Sequence, residues 1–191
     1  MPKPRNRVPD LSRRCPGCLF PPDRCICREA PRVENRTRVL FVRHWQERVR
    51  TTNSGRWAAL CLARCETVDH GVPGAPLDVD RIPTSDVAVL FPSPSGGVPS
   101  PLPGTLVVLD ATWAQARRML QRIPALRAMP RLSLSGWPAE RLREPPVADG
   151  MSTIEAVAGA LALLGDEEAA RALHRTWDLA VERSLSLRRS G

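Results

Sequence analysis

The apolar run Leu106-Val107-Val108-Leu109 breaks abruptly into Asp110-Ala111-Thr112-Trp113, and this junction sets the strongest constraint on the fold. Four consecutive β-formers without polar alternation predict a strand buried on both faces, as in a parallel sheet covered by helices. Good helix formers follow, from Ala114 to Leu120. A carboxylate, a hydroxyl and an indole therefore stand where a buried strand gives way to a helix. Open α/β sheets bind ligands outside the carboxyl ends of their strands, so the four residues form a candidate site.

The same alternation recurs along the chain. Residues 38–42 (Arg-Val-Leu-Phe-Val) read as a first strand, and a helix is expected from Ser54 to about Cys65, with Thr52, Asn53 and Ser54 available as caps. Residues 87–91 read as a second core strand. Residues 92–104 carry five prolines and three glycines and can only be loop. A short strand is expected at 131–134, a Pro-rich crossover at 136–150, and helices at 152–164 and from 166 to about 187. Strands alternating with helices indicate an α/β domain with a mostly parallel sheet. The loop at 92–104 follows a strand's carboxyl end, which suits an active-site loop better than an interdomain linker.

A chain of 191 residues, 42% hydrophobic and 25% charged, has room for one such domain plus a small appendage. No apolar stretch approaches the ~20 residues that cross a bilayer. Residues 1–14 are basic and polar without an apolar core, so they read as a disordered tail rather than a secretory signal, and the expected location is cytoplasmic. The charge is unevenly placed. Residues 1–50 hold 13 Lys/Arg against 5 Asp/Glu, whereas residues 51–191 hold 15 of each. The whole excess of +8 thus lies in the first quarter, which suggests a polyanionic partner, nucleic acid above all, over a merely solubilising tail.

Cys15-Pro16-Gly17-Cys18, six residues, then Cys25-Ile26-Cys27 form a compact set of four thiols. Two close pairs joined by a turn can supply the tetrahedron that zinc requires. We read Cys15, Cys18, Cys25 and Cys27 as a structural zinc knuckle over residues 15–32, in preference to two disulfides or an iron–sulfur cluster. All four positions would be protein ligands, so such a zinc would staple the segment rather than catalyse. Cys61 and Cys65 are one turn apart on the expected helix and read as buried apolar side chains.

Two further clusters carry polar chemistry. Residues 43–55 place His44, Glu47, Arg43, Arg48, Arg50 and Asn53 in one strand-to-helix connection, at the sheet edge expected to hold Asp110. Its plainer reading is a solvated loop ending in a helix cap. Ser152-Thr153-Ile154-Glu155 fits a capping box, and the helix terminus it caps offers N–H groups to an anion. Asp110 could itself be only a cap for the following helix, with Thr112 sharing that task.

Taken together, these pieces resemble the DTW-domain family, the tRNA-uridine aminocarboxypropyltransferases. The resemblance is carried by the four-cysteine knuckle, His44 with Glu47 ahead of Thr52-Asn53-Ser54-Gly55, the namesake Asp110-Ala111-Thr112-Trp113, Pro130-Arg131, and Ser152-Thr153-Ile154-Glu155, spread in order over about residues 15–165. It implies a SPOUT-like fold over 33–191, with a knotted C-terminal region that binds S-adenosylmethionine. The knot is an expectation of the family alone. The implied reaction moves the 3-amino-3-carboxypropyl group of S-adenosylmethionine to N3 of a uridine in tRNA and releases 5'-methylthioadenosine.

On this resemblance the donor would be bound by Phe91, Pro92, Asp110, Thr112, Trp113, Leu132, Ser152 and Thr153. The tRNA would be contacted by His44, Glu47, Arg50, Thr51 and Asn53. Asp110 has two competing roles, the base for uridine N3–H or a ligand of the donor. Transfer to ribosomal RNA and a non-catalytic zinc-dependent RNA-binding module are the alternatives. The intact Asp-x-Thr-Trp and the knuckle favour the tRNA reading over the first. The buried strand ending at Asp110 counts against the second.

Overall fold

The computed structural model describes residues 10–93, 97–134 and 151–189. Five strands, β1 (Arg38–His44), β2 (Cys65–His70), β3 (Val87–Leu90), β4 (Thr105–Asp110) and β5 (Arg131–Leu132), form one sheet in the order β2-β1-β4-β3-β5. Every pairing is parallel. The helices are α1 (Ser54–Cys61), α2 (Trp113–Arg122), α3 (Pro124–Ala128), α4 (Thr153–Leu163) and α5 (Glu167–Arg189). None of them is long and apolar enough to cross a membrane.

Unbroken apolar runs in β1, β3 and β4 are explained by helices on both faces. Val39, Phe41, Leu90, Leu106 and Val108 pack with Trp57 of α1, Ile154 and Leu161 of α4 and Leu173 of α5. Leu40, Val42, Val89, Val107 and Leu109 pack on the other face against Met119 and Leu120 of α2 and Leu126 of α3. From β1 the chain passes through α1 to β2 on one side, whereas from β4 it passes through α2 and α3 to β5 on the other. The direction therefore reverses between the adjacent strands β1 and β4, and their carboxyl ends flank a crevice.

Three expectations need correction. The helix from Ser54 stops at Cys61, and residues 65–70 form β2, which pattern reading missed. This strand is Cys-Glu-Thr-Val-Asp-His, with only Val68 buried, because it is the sheet's edge and its charges face solvent or neighbouring arginines. Cys61 and Cys65 are thus not one helical turn apart: Cys61 is buried, while the half-buried Cys65 lies on β2 and its thiol donates to the Ala59 carbonyl at 3.5 Å. The short helix α3, opened by Pro124, was also not expected. Finally, β5 ends at Leu132; Ser133 makes an isolated bridge to Gly97 instead of extending the strand. Most of the basic tail (1–9), the centre of the 92–104 loop and the 136–150 crossover lie outside the described residues. So does the expected knot, which depends on the path of 135–150.

The knuckle segment packs into the α1 side of the domain. Cys18, Phe20 and Ile26 belong to that core. Phe20 stacks on Trp57 at 5.4 Å and 12°, and the Trp57 indole N–H donates to the Cys18 carbonyl at 3.1 Å. At the outer edge Arg183 of α5 forks onto both Glu29 oxygens at 2.9 Å. Trp57→Ala should therefore lose about 3–5 kcal/mol of stability, measured by denaturant unfolding, and should loosen the knuckle before the sheet in hydrogen exchange.

Candidate active site

Asp110 is the last residue of β4 and only 2% exposed. In register it faces Arg43 of β1, which in turn faces Asp69 of β2, so three charged residues cross the sheet's carboxyl edge. Arg43 forks onto Asp69 through Nε at 2.7 Å and Nη2 at 3.2 Å. The Asp110 carboxylate accepts from Asn53 Nδ2 at 2.8 Å and from the Thr153 hydroxyl at 3.3 Å. Gly55 makes this approach possible, since a Cβ there would meet the carboxylate at 2.5 Å. Burial pushes the Asp110 carboxyl above its ordinary range, against the pull of Asn53, Arg43, Thr153 and Arg56.

Both donors come from helix N-termini. Asn53 caps α1, its Oδ1 accepting from the Arg56 N–H at 2.7 Å. The same amide has one N–H near Glu47 Oε2 at 3.5 Å, and Glu47 pairs with Arg50 at 2.9 Å. Burial also raises Glu47; Arg50 opposes this and Asp110 adds to it. The expected capping box opens α4: the Ser152 hydroxyl accepts from the Glu155 N–H at 3.4 Å, and Glu155 accepts from the Ser152 N–H at 2.8 Å. Asp110 is not a cap. Thr112 takes that position on α2, its N–H and hydroxyl both donating to Gln115 Oε1, at 2.9 and 2.7 Å.

The remaining sequence-derived residues divide into two groups beside this network. Trp113, 37% exposed, meets Phe91 edge-on at 5.3 Å and 78°, with Pro92 half-buried next to Phe91 and Leu132 fully buried in the α4 side core. His44 lies at the end of β1, where the Gln115 amide reaches its Nδ1 at 3.1 Å and Gln46 Oε1 at 2.8 Å. Burial, with His70 and Arg118 nearby, lowers the His44 pKa, so the ring is neutral at neutral pH and Nδ1 can accept. Thr51 is half-buried on the turn before Asn53. Asp110, Asn53, Glu47, Arg50 and Thr153 are thus one network, whereas His44 is linked to Thr112 through Gln115. Gln115 was missed, although Thr112-x-x-Gln115 is a capping-box spacing that would have flagged it.

The sequence matches the DTW domain over residues 12–185, nearly its whole length. The chain belongs to the DTW-domain family. No solved structure matches it. The family is associated with RNA modification, and its signature here divides into three tasks. Asp110 is buried and hydrogen-bonded from two helices, Thr112 starts α2, and Trp113 presents its ring beside Phe91.

In this DTW domain the four knuckle cysteines fit a metal ion. The sulfurs of Cys15, Cys18, Cys25 and Cys27 all lie within 4.8 Å of one another. Three of the separations are 3.4, 3.6 and 3.8 Å; thiolates at about 2.3 Å from a tetrahedral zinc stand about 3.8 Å apart. Burial pushes the Cys15 thiol up, but the N–H groups of Cys18 and Gly17 and the neighbouring thiols hold it at about 6. Gly17 is needed for closure, because a Cβ there would meet Cys27 Sγ at 2.8 Å. Plasma mass spectrometry of the purified protein should find about one zinc per chain, and Cys18→Ser should lower that content together with the melting temperature.

The raised pKa of Asp110 has a stability consequence. A carboxyl with a raised native pKa contributes fully below its unfolded value and loses that contribution as pH rises through the native one. Asp110→Asn removes this dependence while an amide can still serve Asn53 and Thr153. The melting temperature of Asp110→Asn relative to wild type should therefore increase from about pH 4 to about pH 8, followed by calorimetry.

Proposed function

We propose that this protein transfers the 3-amino-3-carboxypropyl group of S-adenosylmethionine to N3 of a uridine in tRNA, in the cytoplasm, with Asp110 at the centre of the reaction. The observation that carries the reading is the buried Asp110 carboxylate, held between α1 and α4 at the β1–β4 crevice of a DTW domain. Uridine N3–H must lose its proton before N3 can attack, and a carboxylate whose pKa is raised by burial is a better base than an exposed one. N3 then forms a bond to the donor's Cγ, the Cγ–sulfur bond breaks, and its electron pair leaves on 5'-methylthioadenosine. Asp110 takes the proton and returns it to solvent.

The other residues serve position. A sulfonium has three activated carbons, so the choice of Cγ over methyl rests on alignment. In this reading Trp113 and Phe91 flank the sulfonium, partly by cation–π attraction, with Pro92, Leu132 and the Thr112 turn shaping the donor's bed. The capped α4 terminus at Ser152 and Thr153 receives its carboxylate. His44, Glu47, Arg50, Thr51 and Asn53 line the approach of the RNA, while the basic tail and the knuckle, residues 1–14 and 15–32, grip its backbone ahead of the catalytic unit at 33–191. Binding that rests on such phosphate contacts falls steeply with salt.

The test is mass spectrometry of nucleosides from tRNA incubated with protein and S-adenosylmethionine. Wild type should yield an aminocarboxypropyl-uridine, and Asp110→Asn should lower its rate about 10²- to 10⁴-fold while remaining folded. A methylated uridine as product would overturn the reading. Near-normal turnover by Asp110→Asn would remove the base role.

A further inference from the structure

A cavity of about 230 Å³ lies against Asp110. Pro16 of the knuckle, Leu60 of α1 and Phe41 of β1 give it apolar walls, and its polar groups include Asp110, Arg43 and Arg56. Both guanidiniums are held by fixed partners. Arg56 donates from Nη1 to the Pro16 carbonyl at 3.1 Å and from Nη2 to the Arg48 carbonyl at 2.8 Å. Its Nε is buried and has no hydrogen-bond partner among the described residues. Asp69 takes Nε and Nη2 of Arg43, and no hydrogen bond to Nη1 is seen among the described residues.

We infer that this cavity holds the acceptor base, with Asp110 and the flanking Arg43 and Arg56 reading the pairing edge of a uracil ring. The inference rests on the transfer reaction proposed above and assigns its acceptor subsite. Uracil presents acceptor, donor, acceptor (O2, N3–H, O4), and the cavity offers a carboxylate acceptor between guanidinium donors. Cytosine presents a lone pair at N3, which the carboxylate repels. A purine presents a different edge altogether. One wall of the cavity is the knuckle, which belongs to the quarter of the chain that carries the whole positive excess. The RNA backbone leading to a splayed-out base would meet that charge.

This placement separates the two substrates. Thr153 holds one oxygen of Asp110 from the α4 side, while Asn53 holds the other from the α1 side. Donor and acceptor then reach the carboxylate from two different helix termini on the same face of the sheet, α4 for the donor and α1 for the acceptor. Arg56 is a specificity residue in this scheme, and its role differs from that of a donor-binding residue in a measurable way.

The test follows the arginine Nε–H resonances of the zinc-loaded, full-length protein by NMR during separate titrations with uridine monophosphate, cytidine monophosphate and S-adenosylmethionine. Uridine monophosphate should shift the Arg56 signal, cytidine monophosphate should shift it far less. Arg56→Met, and independently the cavity-filling Leu60→Trp, should lower kcat/KM for tRNA about ten- to hundredfold and leave S-adenosylmethionine affinity within about twofold in calorimetry. Equal response to the two nucleotides, or none, would overturn the assignment. So would a loss of S-adenosylmethionine affinity in either folded variant, because the cavity would then belong to the donor. If wild type makes no aminocarboxypropyl product, the proposed reaction fails, and the nucleotide preference at Arg56 still decides the pocket.

Discussion

Burying the Asp110 carboxylate is the constraint that organises this protein. An ionised carboxylate cannot leave water without donors and nearby positive charge. The chain supplies these from distant points: Asn53 from the start of α1, Thr153 from the start of α4, and Arg43 from the neighbouring strand. Each supplier has its own reason to be there. Asn53 is also a helix cap, Thr153 follows a capping box, and Arg43 is locked by Asp69. Even the empty volume is arranged, since Gly55 leaves the space a Cβ would fill. The carboxylate is therefore held by residues that each have a second structural role.

The knuckle is coupled to this arrangement through α1. Arg56 takes its backbone partner from Asn53 and gives its guanidinium to carbonyls of Pro16 and Arg48, so one residue links the cap, the knuckle and the turn after β1. Trp57, the next residue, fills the space between Phe20 and Trp177 and donates to the Cys18 carbonyl. A metal held by the four cysteines would thus also fix the wall of the cavity beside Asp110.

Much of this was legible because the informative patterns are local. The double-faced burial of β4 was written in four consecutive apolar residues, the box at Ser152 and Glu155 in a fixed spacing, and the knuckle in four cysteines. Strand β2 was not legible. An edge strand has one partner, its side chains need not alternate, and Glu66 and Asp69 are stabilised by arginines of other segments. Gln115 was overlooked for a related reason: its amide joins Thr112 to His44 and Gln46, a link across 71 and 69 residues that no window contains.

The sequence by itself determined the α/β class, the buried parallel strands, the helix starts and the set of four thiols, because periodicity and capping act over a few residues. It also determined family membership, through short motifs in a fixed order. Only the tertiary structure decided that Asp110 is a network centre and not a cap, and that Arg43, Gly55 and Arg56 converge on one carboxylate. These outcomes depend on strand order. The reversal of direction between β1 and β4 brings residues 43, 53–56, 110 and 153 to one edge, and that reversal is set by how whole helices pack on the two faces of the sheet.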